Sequence, residues 1–280
     1  MISINTNHGS LFAANAASKA ADTMNVAMQR LSTGIRINSA KDDAAGQAIS
    51  TRLTAEIQGL AMASRNAMDA QSMVDTADGA LAETTNSLLR MRELAVQASN
   101  GTLNTADMAA LDAEFQQLES EVDRIAHNTT FAGVNLLDGT HRDSLTTDGL
   151  KFQLGVNGSS SDRIEVFFSD MDAANGLSIS GDLTSQSNAQ TAIGVIDTAI
   201  ATVSAERAKF GAVSNRLSST MSNLDQISVN LSASNGRIQD TDFAEETGNL
   251  AKSQILQQAA TAMVAQANAS KGSVLTLLQN

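Results

Sequence analysis

Residues 60–98 read LAMASRNAMDAQSMVDTADGALAETTNSLLRMRELAVQA. Within them Leu60, Ala63, Ala67, Ala70, Val74, Ala77, Leu81, Thr84, Leu88, Met91, Ala95 and Ala98 alternate steps of three and four without a miss. That spacing keeps one face of a helix turned toward a partner helix over its whole length. At ~1.5 Å per residue the stretch makes a rod of about 58 Å, longer than a compact domain needs. It stops at Asn100-Gly101, where a left-handed cap costs little.

The same repeat recurs on both sides. Downstream, Met108, Leu111, Phe115, Leu118, Val122 and Ile125 form a second ladder, with Asn104, Thr105 and Asp107 placed to cap its start. A short loop between two such helices makes them an antiparallel hairpin. A longer ladder runs Ala189, Ala192, Ile196, Ala199, Val203, Glu206, Phe210, Val213, Leu217, Thr220, Leu224, Ile227 and Leu231. Two weaker ladders lie near the chain ends. One is Ala14, Ala17, Ala21, Met24, Met28, Leu31 and Ile35; the other is Leu256, Ala260, Met263, Ala267, Ser270, Val274 and Leu277.

Between the second and third helical stretches the pattern shortens to alternating runs broken by Asp138-Gly139, Asp148-Gly149, Asn157-Gly158 and Asn175-Gly176, which read as hairpin turns. Leu150–Val156 and Arg163–Phe168 are the candidate strands. The expectation is a mainly α protein: a long antiparallel coiled-coil or helical-bundle rod with a small β-hairpin-rich insertion at about 130–186, and its N- and C-terminal helices paired at one end. Residues 1–42 with 236–280 would form a terminal-helix domain, and 43–235 the rod.

Composition supports helices and removes several functions. The 280 residues contain no proline, which would stop a helix, and only 3% aromatics, little material for strands or base stacking. With no cysteine there is neither a disulfide scaffold nor a thiolate metal site. A net charge of −12 repels nucleic acid and anionic lipid, and no apolar run approaches the ~20 residues of a membrane-spanning helix. Neither nucleic acid nor membrane is an expected partner. Met1–Ser18 has neither a charged start nor a continuous apolar stretch, so no general secretory leader is expected.

Charge is uneven along the chain. Residues 1–36 and 247–280 each carry +2, which leaves −16 on 37–246. Ala, Ser, Asn and Gln cover the terminal helices, whose narrow alanine stripes bury little area and hold together weakly alone. Such helices suit close packing against further copies.

No catalytic constellation is present. His8, His127 and His141 lack Glu-x-x-His spacing, and no phosphate-cradling glycine run or GxSxG occurs, so neither cofactor nor enzyme activity is expected. Asp42-Asp43 resembles a carboxylate dyad but precedes an apolar-periodic helix, whose dipole acidic residues in the first turn complement. Arg90, Arg92 and Glu93 read as a solvated helix face, with Glu114 alongside on the neighbouring helix.

Three long runs carry a resemblance: QRLSTGIRINSAKDDAAGQAIS at 29–50, LLRMRELAVQASNGT at 88–102, and RIQDTDFAEETGNLAKSQILQQAATAMVAQANASKGSVLTLL at 237–278. They resemble the hallmarks of bacterial flagellin, in a short form without large outer domains. The resemblance implies a structural subunit that self-assembles through its terminal helices into the helical filament of the bacterial flagellum, outside the cell. Filament-core packing would then fall to Ala14, Ala17, Ala21, Met24, Met28, Leu31, Ile35, Leu256, Ala260, Met263, Ala267, Val274 and Leu277. Implied partners are many copies of the chain itself, the flagellar type III export apparatus, an export chaperone, and the filament cap and hook-junction proteins. The alternative is a hook–filament junction protein, which resembles flagellin at both ends.

Host flagellin receptors are also implied partners. Gln29, Arg30, Leu31, Arg36, Ile37, Asn38, Ser39, Ala40, Lys41, Asp42, Asp43 and Gly46 match the epitope of the plant flagellin receptor, from which Ile35, Gln47 and Ala48 depart. Arg90, Glu93, Leu94 and Glu114 match residues read by the flagellin-sensing Toll-like receptor, and Leu89 is a departure in that stretch.

Overall fold

The computed structural model describes residues 6–139, 149–179 and 181–279, with side chains as far as residue 272. The helices are α1 (His8–Thr33), α2 (Ala44–Ala98), α3 (Thr105–Asn128), α4 (Gln186–Gln239) and α5 (Phe243–Gln279). Between α3 and α4 lie two antiparallel pairs, β1 (Thr130–Phe131) with β2 (Val134–Asn135) and β3 (Leu150–Gln153) with β4 (Arg163–Val166). The side chains of Val274 and Leu277, and residue Asp148, lie outside what is described. Packing divides the chain into two units, 56–229 and 1–55 with 230–280.

In the 56–229 unit, the ladder that opens the sequence reading becomes the core. All twelve of its positions are buried, Thr84 included, whose hydroxyl is satisfied by the Ala80 carbonyl at 3.2 Å. From Ala67 onward its apolar positions pack in one core with Ile196, Val203, Phe210 and Leu217 of α4 and with Phe115, Val122 and Ala126 of α3. Cross-ties fix α2 and α4 as antiparallel: Gln186 donates to the Ser99 carbonyl (2.9 Å), Arg92 to Asp197 (2.6 Å), Arg207 to Asp78 (2.8 Å) and Gln71 to Ser214 (2.8 Å). These ties, two exposed and two half-buried, set register more than stability. Hydroxyls of Ser72, Thr76, Thr84 and Thr85 on α2, and of Thr191, Thr198, Thr202 and Thr220 on α4, turn back onto the carbonyl four residues before them. The α3 start carries a capping box, Asn104 accepting from Asp107 N–H (2.9 Å) and Asp107 accepting from Asn104 N–H (3.2 Å).

The insertion is less regular than its turn pairs suggest. Strand β3 pairs with β4 in the register Phe152↔Ile164, around Asn157-Gly158. Both strands end earlier than expected, β4 at Val166 and β3 at Gln153, after which the N–H groups of Leu154 and Gly155 converge on one carbonyl, that of Asp162 (2.8 and 3.1 Å). Val156 beyond them closes on Gly59 of α2, where an added Cβ would stand 2.8 Å from a Val156 methyl, so only glycine admits this approach. Phe168 lies with its ring centroid 5.4 Å from that of Phe210. Asn175-Gly176, expected to turn a hairpin, instead closes a loop on Asp172 Oδ1, which accepts from both N–H groups (2.5 and 2.9 Å). The hairpin that does form upstream turns at Ala132-Gly133, with φ of 50° and 84°. The segment returning to α4 is held by α3: Asp123 accepts from Ala173 N–H (2.7 Å), Asp112 from Leu183 N–H (2.7 Å), and Gln116 donates to the Gly181 carbonyl (3.2 Å).

In the unit of 1–55 with 230–280, α1 and α5 lie antiparallel. Asn7 donates to the Ala267 carbonyl (3.1 Å) at one end, and Arg30 pairs with Glu246 (3.6 Å) at the other. Gly34 caps α1 at φ 73°, a conformation that side chains resist. Beyond it Ile35 bridges Asp240, with Arg36 N–H on the Gln239 carbonyl (2.7 Å) and Thr241 N–H on that of Gly34 (3.0 Å).

Candidate functional site

The terminal helices present a seam and an outward face, and their chemistry is inverted. On α1 the seam buries Ala13, Ala20 and Ala27, with Ala17, Met24 and Leu31 half-buried between them. This frame differs from the expected one: Ala14 and Met28 are exposed, and Ala21 and Ile35 only half-buried. Alanines in neighbouring positions make two frames nearly equal in apolarity, and the partner helix decides between them. On α5 the inward positions are Glu246, Leu250, Ser253, Gln257, Ala260, Val264 and Ala267. Ala260 and Ala267 lie in the seam as the spacing indicates, whereas Leu256 and Met263 do not.

Several of the largest apolar side chains of this unit point outward. Phe12 is 81% exposed, Leu11 60%, Ile255 65%, Met263 61% and Leu256 50%. Covering one such side chain is worth ~1.5–3 kcal/mol, more than any alanine of the seam supplies. The helix pair is held mainly by small side chains, and much of its apolar driving force is unspent.

The loop between α1 and α2 is ordered by two carboxylates. Asp42 Oδ2 accepts from the N–H groups of Asn38 (3.1 Å) and Ser39 (2.9 Å) and from the Ser39 hydroxyl (3.0 Å). The hydroxyl and then the Ser39 N–H are the main forces holding the Asp42 carboxyl below its usual range. Asp43 accepts at Oδ1 from Gly46 N–H (2.8 Å) and at its carbonyl from Gln47 N–H (3.0 Å), capping α2. The pair thus precedes the helix rather than entering its first turn. Of the residues matched to the plant-receptor epitope, Gln29, Arg36, Ser39, Ala40, Lys41 and Asp42 are exposed, Arg30, Leu31, Asn38 and Asp43 half-buried, and Ile37 and Gly46 buried. Buried Ile37 and Gly46 cannot be surface contacts of the folded unit.

On the other unit, Arg90, Glu93 and Glu114 do come together. Arg90 donates through Nε and a terminal nitrogen to Glu114 Oε1 (3.0 and 2.8 Å) and through its other terminal nitrogen to Glu93 (2.9 Å), which raises the guanidinium pKa. All three are exposed, with Leu89 beside them. Leu94 is not part of this surface: at 1% exposure it belongs to the core, because it stands three residues after Met91 on the buried face of α2. Among the described residues no three His, Asp or Glu side chains gather to hold a metal ion, and no helix is long and apolar enough to cross a membrane.

Comparison with known proteins places these features in one family. Residues 4–142 match the bacterial flagellin N-terminal helical region and residues 193–278 the bacterial flagellin C-terminal helical region. Flagellin of Halalkalibacterium halodurans is 45% identical over 253 residues, spanning 90% of this chain and 91% of its own. Flagellin A of Vibrio cholerae is 34% identical and spans 99% of this chain and 100% of its own. Among solved structures, Bacillus cereus flagellin superposes with a TM-score of 0.50 at 37% identity, covering 57% of this chain and 88% of that one. A flagellar hook-associated protein of Vibrio parahaemolyticus reaches 0.54 over 71% of this chain and 100% of its own, but at 15% identity that likeness is one of fold. Two family regions in their natural order, on a chain whose end helices pair and whose middle is a helical rod, lead to one conclusion: the chain belongs to the bacterial flagellin family.

Proposed function

We propose that this flagellin is a structural subunit of the extracellular flagellar filament and that it self-assembles through its terminal helices. The observation that carries this is the chemistry of α1 and α5: the fully buried seam positions are alanine, serine and one paired glutamate, while Leu11, Phe12, Ile255, Leu256 and Met263 stand outside. The expected packing positions Ala14, Met28, Leu256 and Met263 lie on faces that the chain leaves open, free for a neighbouring copy. Ala17, Ala21, Met24, Leu31, Ile35, Ala260 and Ala267 would set the pair's spacing. Export through the type III apparatus with a chaperone, and contact with the cap and hook-junction proteins, follow from that role.

Electron microscopy after seeding tests the reading. The full chain is expected to give long uniform tubes, and the double variant Leu256→Asp with Met263→Asp none, while the rod keeps its helical circular dichroism. Short rings from the unaltered chain would favour a junction protein instead.

Soluble monomer also offers host receptors the Arg90–Glu93–Glu114 cluster, with Leu94 supporting it from beneath. Arg90→Ala is expected to lower Toll-like-receptor signalling at least tenfold, since it removes the one cation that Glu93 and Glu114 share. Unchanged signalling would end that assignment. The plant-receptor epitope at 29–46 includes buried Ile37 and Gly46, so recognition there requires the segment released from the folded unit.

A further inference from the structure

Between α1 and α5 runs an open groove of ≈ 400 Å³ lined by Ala16, Lys19, Thr23, Asn249, Lys252 and Leu256 with Ala20 and Ser253 at its base. Two ammonium groups and one exposed leucine on a floor of small residues fit an occupant that carries carboxylates beside an apolar group. Neither lysine side chain has an ion-pair partner among the described residues. Elsewhere in the unit of 1–55 with 230–280 the acidic groups are mostly used. Asp42 and Asp43 order the α1–α2 loop, Asp242 caps α5 through Ala244 N–H (2.8 Å), and Glu246 pairs with Arg30. Asp22, Asp240 and Glu245 remain, exposed and without a side-chain bond among the described residues. Asp22 stands on α1 beside Lys19, flanking the groove. Asp240 and Glu245 stand at the start of α5, on either side of Phe243, which is 56% exposed.

We infer that the groove between α1 and α5 receives the Asp240–Glu245 segment of a second copy of this chain, Lys19 and Lys252 taking its carboxylates and Leu256 its Phe243. Donor and acceptor surfaces then sit at different heights on the same helix. A contact between two different patches does not close on itself as a two-fold pair does; it repeats, and it leaves an open end for the next copy. The charges of this unit favour the contact, because its eight basic and seven acidic residues nearly cancel, whereas 56–229 carries −13.

This inference rests on the filament reading, and one experiment separates the two. Critical concentrations for seeded growth are measured at low salt for the full chain, Lys252→Glu, Glu245→Lys and the double swap, with circular dichroism to verify folding. Each reversal is expected to raise the critical concentration about tenfold, and the double swap to return it to within about threefold, because the pair is restored with its charges exchanged. Equal growth by all four proteins, or reversals that the swap does not rescue, would overturn the inference while leaving the filament reading standing. Failure of the unaltered chain to grow at all would remove the filament reading and the inference with it.

Discussion

Single carboxylates do much of the ordering outside the helices. Asp42 closes the loop after α1 with three donors, Asp172 closes another through Asn175 and Gly176, and Asp112 and Asp123 hold the return segment by its backbone. The Asp42 carboxyl is held below its usual range by the Ser39 hydroxyl and N–H. A group with a depressed folded pKa contributes stability that is present above its unfolded pKa, about 3.9 for aspartate, and is lost as pH falls through the lower folded value. Protection of the Asn38 and Ser39 amides, taken relative to their intrinsic exchange rate at each pH, should therefore be high at pH 5 and fall below about pH 4, and Asp42→Asn should abolish that acid limb. Protection that persists to pH 2 would mean that the loop is held by something else.

Elements differ in how far the sequence specifies them. The α2 ladder mixes leucine, methionine and valine with alanine, so one frame is far more apolar than its neighbours and every position is buried. The α1 stripe is alanine in adjacent frames, and spacing alone chose Ala14 and Met28 where the structure buries Ala13 and Ala27. Receptor-matched Leu94 illustrates the same limit, since its neighbours Arg90 and Glu93 are solvated while it turns into the core. The β insertion was legible only as strand content. Its first hairpin turns at Ala132-Gly133, which carries no strong turn signature, and its later loops depend on aspartates of α3 that lie some 50 or more residues earlier. Glu206, the acidic rung of the α4 ladder, is 2% exposed and accepts from Ser169 N–H (3.3 Å) and from Lys209 (2.7 Å), tying the segment after β4 to the core. Next to it, Phe210 is the largest apolar filler of α4. Phe210→Ala should cost ~3–5 kcal/mol, read as a lower denaturant midpoint for the rod, and a loss under ~1 kcal/mol would mean that the cavity collapses around Phe168.

For the molecule as a whole, stability and polarity are distributed unequally. The 56–229 unit has the Leu, Ile, Met and Phe core and a net charge of −13, while the other unit has an alanine-rich seam and a net charge of +1. In the monomer, amides of α1 and of α5 should exchange at least about a hundredfold faster than those of α2 between 67 and 98, and should become protected on polymerisation. Hydrogen-exchange mass spectrometry on both forms measures this, and equal protection in the monomer would refute the reading that the terminal helices hold together weakly until they meet further copies. The hydroxyls that turn back along α2 and α4 have a further consequence. Each draws one carbonyl off the helix axis without the break that a proline would impose, and such bonds tend to bend a helix. In a long helix threaded with them, curvature is spread over many small steps instead of gathering at one kink, so the buried ladder keeps its register from end to end.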